Sequence, residues 1–161
     1  MDGRNGAGRC LPMSANTAEV TQRIAMKAVI ANANGEVLLL RVADTDKAGG
    51  NAGKYGAPGG KLKPGEAWEE GLKREVKEET GLDIVVGRPL QVGEWRPVVQ
   101  GRQLQIVAVF FACTSSTTEV KLSEENDAYA WVDLDSLGQI VRLEPDCTVV
   151  QNYLQGSYEK A

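Results

Sequence analysis

The sequence has no histidine among its 161 residues, which removes the commonest zinc ligand and the commonest general base of proteins. Its three cysteines, Cys10, Cys113 and Cys147, are far apart and form no C-x-x-C pair. They predict reduced thiols in a reducing compartment, with Cys113 as a small buried residue. No apolar run is long enough to cross a membrane, and the N-terminal segment has no apolar core typical of a signal peptide. These absences predict a cytoplasmic protein.

Basic residues are fewer than acidic ones, with 18 basic and 22 acidic residues and a net charge of −4. Such a chain has no general attraction to a polyphosphate backbone, so nucleic acid polymers are not expected partners. An acidic protein that acts on small anionic molecules needs divalent cations or local basic residues to offset the repulsion. The hydrophobic fraction of 42% and the length are those of one soluble domain.

The N-terminal region differs in composition from the rest of the chain. Residues 1–20 are polar and glycine-rich, which predicts a flexible tail before a single domain at residues 21–161. From Arg23 to Val42, apolar residues alternate on both sides of Asn34-Gly35, and this pattern predicts a β-hairpin with a type I′ turn. A glycine-rich loop follows, and long loops in compact domains are usually functional or mobile.

The middle of the chain has a helical pattern. A helix is predicted from Glu66 to Thr80, because Leu72 and Val76 form one apolar stripe and Gly81 is a stop signal. Strands are predicted after it at 82–86, 90–95, 103–113 and 127–134, with a closing helix at 145–153. The order of these elements predicts an α/β fold with a mixed sheet rather than a repeated βαβ array.

Three carboxylates crowd one face of the predicted helix. Glu75, Glu78 and Glu79 stand at i, i+3 and i+4, a spacing at which like charges destabilise a helix unless something neutralises them. Magnesium prefers carboxylate and phosphate oxygens, and the glycine-rich loop before the helix allows close backbone approach to an anion. The pattern predicts a magnesium site beside a phosphate pocket, although a charge run considered alone is more often a solvated face.

The segment from Gly60 to Leu82 resembles the Nudix box, G-x5-E-x7-R-E-U-x-E-E-x-G-U, where U is an aliphatic residue. Every fixed position is present: Gly60, Glu66, Arg74, Glu75, Val76, Glu78, Glu79, Gly81 and Leu82. So many defined positions make a chance match far less probable than for a short glycine motif. The chain is therefore identified as a member of the Nudix hydrolase family of MutT-like pyrophosphohydrolases. The resemblance implies a Nudix-type α/β/α sandwich with a mixed β-sheet.

The family resemblance also implies an activity, the Mg2+- or Mn2+-dependent hydrolysis of the diphosphate linkage in nucleoside diphosphate derivatives. It implies that Glu78 and Glu79 bind the metal, and that Glu75 either binds metal or accepts the proton of the attacking water. Arg74 would hold Glu75 through an ion pair, and the Gly60 carbonyl would complete the metal site. Glu66 lies outside this helical face and is expected to have a structural or supporting role.

Candidate residues outside the box rest on weaker signals. Glu125, in a loop beyond the box, is a candidate for a further catalytic carboxylate, and a merely solvated loop explains it equally well. Trp95 and Tyr129 could stack on a nucleobase, although aromatic residues at strand spacing are more often packing residues. Asp146 could contact the base edge, and the simpler interpretation is an acidic residue in the first turn of the last helix.

The substrate is less specified than the chemistry. Pro97 lies 16 residues after Gly81, a position similar to a marker of ADP-ribose pyrophosphatases in the family, which favours ADP-ribose-like substrates. The compact layout keeps (d)NTP pyrophosphohydrolysis for nucleotide-pool house-cleaning as the alternative. A catalytically silent nucleotide-binding module is the non-enzyme alternative, but such a protein would be expected to lack glutamates of the box. The resemblance is also compatible with a homodimer.

Overall fold

The computed structural model describes residues 20–159, which form a mixed β-sheet with helices on both faces. In chain order the strands are β1 (Thr21–Ala31), β2 (Val37–Val42), β3 (Tyr55–Gly56), β4 (Gly59–Lys61), β5 (Ile84–Trp95), β6 (Val98–Val99), β7 (Arg102–Ser115) and β8 (Asn126–Val132). The helices are α1 (Trp68–Thr80), α2 (Leu134–Leu137) and α3 (Asp146–Leu154).

The centre of the sheet is a parallel pair. β1 pairs with β7 along its whole length, from Thr21 opposite Leu104 to Ala31 opposite Thr114. On their outer sides, β5 runs antiparallel to β7 and the short β4 runs antiparallel to β1. β2 pairs antiparallel with β3 and β8. The predicted mixed sheet is thus confirmed.

Two apolar cores cover the two faces, because side chains alternate along each strand. On one face, Met26 and Ile30 of β1 pack with Leu72 and Val76 of α1, all of them buried. On the other face, strand residues such as Val29 pack with buried residues of the two short helices, among them Leu137, Cys147, Val149 and Val150. Helices on both faces confirm the α/β/α sandwich.

The turn after β1 is not of type I′, which needs positive φ at both central residues. Gly35 has φ 78°, whereas Asn34 has a negative φ. The side-chain oxygen of Asn32 instead accepts hydrogen bonds from the N–H groups of Asn34 and Glu36, at 2.9 and 3.0 Å. β1 and β2 pair beside the turn, where Ala31 lies opposite Val37. Along its length, β1 pairs instead with β7, and β2 pairs with β8.

Other predicted boundaries also shift. The strands predicted at 82–86 and 90–95 are one strand, β5, whose register shifts on both sides of Pro89, a residue without an N–H to donate. The first helix begins at Trp68 rather than Glu66, because the Glu66 carboxylate accepts from the Lys63 N–H in the preceding turn. β8 ends at Val132, since Asp133 caps α2.

Cys113 and Cys147 are free and buried, as expected for small core residues. Burial raises the pKa of the Cys113 thiol to about 12 and that of Cys147 to about 11, so both are protonated at neutral pH. No helix within residues 20–159 is long and apolar enough to cross a bilayer. Cys10 and nearly all of the predicted tail at residues 1–20 lie outside the described residues.

Candidate active site

Helix α1 presents its acidic face to a cleft of about 860 Å3. Leu72 and Val76 anchor the neighbouring face in the core, and Glu75, Glu78 and Glu79 together line the cleft. The cleft also contains backbone of β4, the ends of β5 and β7, and the beginning of α3. The site is therefore assembled from segments far apart in the chain.

Arg74 is the centre of an ion-pair network beside these carboxylates. Its guanidinium contacts Glu66 through Nε at 2.6 Å and Nη2 at 3.1 Å. Nη1 contacts Glu75 at 2.8 Å, which is the ion pair expected from the sequence, and Glu78 at 3.3 Å. The fork geometry of arginine suits this arrangement, and the hydrogen bonds to Glu66 and Glu75 raise the already high pKa of Arg74 further.

The backbone before α1 supports the third carboxylate. Glu79 Oε2 accepts a hydrogen bond of 2.7 Å from the Gly59 N–H. Burial raises the pKa of Glu79 to about 7, with Lys27 and the Gly59 N–H acting in the opposite direction. Gly60 lies so close to Glu75 that a Cβ at this position would overlap the carboxylate. A glycine at this position thus leaves room for the Glu75 carboxylate beside the strand.

The donor set fits a hard divalent cation, because it offers carboxylate oxygens together with the nearby backbone of Gly60. Within residues 20–159 no three His, Cys, Asp or Glu side chains already converge closely enough to hold an ion. Arg74 contacts Glu75 and Glu78, whereas the Gly59 N–H holds Glu79. Glu78 is 57% exposed, so its side chain has room to rotate toward a cation.

A largely buried lysine in the cleft was missed at the sequence level. Lys27 of β1 pairs with Asp146 Oδ2 at 3.0 Å and donates to the Ala57 carbonyl at 2.8 Å. Burial lowers the pKa of Lys27, but the charges of Asp146, Glu79 and Glu75 more than offset this effect and raise it overall. The available signal was a single charge inside the apolar run IAMKAVI.

The structure locates Asp146 where the simpler interpretation put it, in the first turn of α3. Asp146 is nevertheless more than a helix-terminal charge, because it is only 2% exposed. Its Oδ2 also accepts a hydrogen bond from the Ala57 N–H at 3.0 Å. Asp146 lines the cleft, as do Trp95 and Glu125. The Glu125 Oε1 atom also lies 3.7 Å from the Lys47 Nζ atom. Tyr129 is half-exposed on β8 and is not among the cleft residues.

Replacing Glu66 by glutamine should change how stability depends on pH. The hydrogen bonds from Arg74 and Lys63 lower the pKa of Glu66 from 4.5 to about 2. A depressed pKa contributes stability above the unfolded-state value, and this is lost as pH falls through the folded-state value. We therefore expect the free-energy difference between wild type and Glu66→Gln, measured by urea unfolding, to shrink between about pH 5 and about pH 2. A difference that is constant over this range would contradict the assignment.

Comparison with known proteins matches the part of the chain that forms this cleft. The family model for the NUDIX domain matches residues 21–148. Nucleoside triphosphatase NudI of Escherichia coli strain K12 is 32% identical over 114 residues, which cover 65% of this chain and 77% of that protein.

Solved structures share the fold. The crystal structure of MutT protein from Methanosarcina mazei Go1 matches with a TM-score of 0.71 and 32% identity, covering 88% of this chain and 99% of that one. An ADP-ribose pyrophosphatase from Streptococcus suis matches with a TM-score of 0.62 and 19% identity, covering 86% of this chain and 94% of that one. The second likeness concerns the fold alone.

Proposed function

Because this chain belongs to the Nudix hydrolase family, a family of hydrolases acting on phosphorus-containing acid anhydrides, we propose that it is a magnesium-dependent nucleotide pyrophosphohydrolase. The observation that carries the proposal is the set of three α1 carboxylates facing the cleft beside the Gly59-Gly60 backbone. The other fixed positions of the Nudix box contribute to this arrangement or to the core behind it, except for Gly81, which ends α1 in the left-handed conformation. The alternative of a silent binding module has no missing glutamate to support it.

Glu75, Glu78, Glu79 and the Gly60 carbonyl would hold the metal. Mg2+ or Mn2+ bound there supplies charge to offset the phosphates and to lower the pKa of an attacking water. Arg74 keeps Glu75 oriented, so that this carboxylate either binds metal or accepts a proton from the water. Glu125 lines the same cleft and is retained as the second candidate for the proton acceptor.

Nucleoside triphosphates are the substrates best supported, because a relative 32% identical over 114 residues is a nucleoside triphosphatase. The cleft also has basic side chains suited to a phosphate chain, among them Lys47, Lys61 and Lys63. ADP-ribose-like compounds remain the second candidate, because Pro97, the residue that favoured them in the sequence, lies in the cleft wall.

The base end of the substrate would occupy the part of the cleft that the ends of β5 and β7 line. Trp95 offers an aromatic surface there, flanked by Leu104 and Ile106. Asp146 offers a carboxylate whose Oδ1 has no hydrogen-bond partner among residues 20–159. We therefore retain Trp95 and Asp146 as proposed substrate contacts, whereas the position of Tyr129 gives no support for such a role.

A substrate panel tests the proposal. The purified protein is incubated with individual (d)NTPs, ADP-ribose, sugar nucleotides and dinucleoside polyphosphates, with Mg2+, with Mn2+ and with excess chelator, and phosphate is measured after auxiliary phosphatase or pyrophosphatase. We expect turnover of (d)NTPs with either metal and none with chelator. Turnover of ADP-ribose alone would favour the second candidate. Binding of a nucleotide without turnover of any substrate would indicate the silent module instead.

A further inference from the structure

The segment Gly56-Ala57-Pro58-Gly59-Gly60 supplies the backbone of the proposed metal site, but it has no polar side chain with which to hold itself in place. Its position nevertheless matters, because the Gly59 N–H supports Glu79 and Gly60 packs against Glu75. The β4 ladder begins only at Gly59, which lies opposite Lys27. The Pro58 carbonyl accepts from the Ala28 N–H at 2.9 Å and Gly56 pairs with Leu40, which leaves the Ala57 backbone to be fixed by side chains from other parts of the chain.

Lys27 and Asp146 provide these groups. The Lys27 ammonium donates to the Ala57 carbonyl at 2.8 Å, and Asp146 Oδ2 accepts from the Ala57 N–H at 3.0 Å. The two side chains also contact each other at 3.0 Å. Both backbone polar groups of Ala57 are thus held by one ion pair, which joins β1 to the beginning of α3.

Stability alone is a poor explanation for this pair. The Lys27 side chain is 12% exposed and that of Asp146 is 2% exposed, so both charges are largely removed from water. Replacing such a buried pair by apolar side chains of similar volume is often neutral or stabilising. A methionine at position 27 would also continue the apolar character of β1. The contacts of the pair with both backbone groups of Ala57 point instead to a role in backbone orientation.

We propose that the Lys27–Asp146 ion pair is a positioning device that fixes the Ala57 backbone and thereby sets Gly59 and Gly60 against the metal-binding glutamates. Lys27 is a positioning residue in this scheme, since its ammonium contacts Ala57 and Asp146 rather than the reacting atoms. The consequence for activity rests on the proposed function, whereas the consequence for the loop does not.

Hydrogen exchange without metal tests the loop directly. In Lys27→Met we expect the Gly59 amide, followed by NMR, to exchange at least about tenfold faster than in wild type, beyond any change in the slowest core amides. Lys77→Met is the matched control, because it breaks an exposed 2.7 Å pair with Asp83 away from the loop. Gly59 exchange equal to that of the control would overturn the proposal.

The double variant Lys27→Met/Asp146→Asn separates positioning from stability. If the single variant does not fold, Gly59 exchange in the double variant alone tests the proposal. It removes both charges of the pair together, so we expect a smaller loss of global stability than in the single variant while Gly59 exchange stays elevated. Exchange restored to within about threefold of wild type would show a merely structural pair and overturn the proposal.

Activity adds a second readout. With a substrate identified by the panel, the Mg2+ concentration for half-maximal rate should rise about 10- to 100-fold in the double variant, as for other supporting residues of metal sites. An unchanged metal requirement in a variant whose Gly59 exchange is elevated would remove the link to the metal site. If wild type hydrolyses nothing, the proposed function fails, yet the exchange experiment still decides the positioning role.

Discussion

Replacing Glu78 by glutamine is expected to lower kcat at least about a hundredfold while leaving the fold intact. Glutamine keeps the shape but removes the negative charge that a hard cation requires. Metal assistance is worth several kcal/mol, and about 3 kcal/mol corresponds to about a hundredfold in rate. Within residues 20–159 the substitution breaks only the 3.3 Å ion pair with Arg74, and Glu78 is half-exposed, so stability should change by less than about 0.5 kcal/mol.

Glu70→Gln is the matched control for this experiment. Glu70 also lies on α1, it is 72% exposed, and its carboxylate lies 4.0 Å from the Lys73 ammonium. It is absent from the cleft, so its replacement should leave kcat within about twofold of wild type. Steady-state kinetics over a range of Mg2+ concentrations would measure both variants. Full turnover by Glu78→Gln would exclude the proposed metal site.

The carboxylate face was predictable because it depends on one local regularity. The spacing of Glu75, Glu78 and Glu79 determines that they share a helical face wherever the helix packs. Leu72 and Val76 determine which face is buried, and both are buried as expected. The sheet type was accessible for a similar reason, since alternation marks strands without requiring knowledge of their partners.

The walls of the cleft were not predictable in this way, because they depend on long-range pairing. Lys27 of β1 forms an ion pair with Asp146 of α3, a residue more than a hundred positions away in the chain. Periodicity cannot reveal such a pair, although a lone lysine inside an apolar strand indicates an unidentified partner. The prediction of a type I′ turn at Asn34-Gly35 was wrong for a local reason. The Asn32 side chain accepts hydrogen bonds from the turn backbone and stabilises a different turn.

Replacing Gly60 by alanine is expected to lower kcat about a hundredfold, even though a single methyl group is added. The new Cβ would lie 2.6 Å from the Glu75 Cδ atom and closer still to its Oε2. The strand backbone cannot yield easily, because Gly60 is paired with Met26, so the flexible carboxylate must move instead. That movement displaces Glu75 from Arg74, and a displacement of about 1 Å can reduce the rate a hundredfold.

Stability distinguishes this effect from a damaged fold. Because the clash is with the end of a flexible side chain, the free energy of unfolding should fall by only about 1 kcal/mol. Gly138→Ala is the control, since Gly138 has φ −69° and its Cβ would approach no atom closer than 3.4 Å. Urea unfolding and kinetics at saturating Mg2+ would measure both variants. A Gly60→Ala enzyme with kcat within about threefold of wild type would show that Glu75 need not occupy its position beside Gly60.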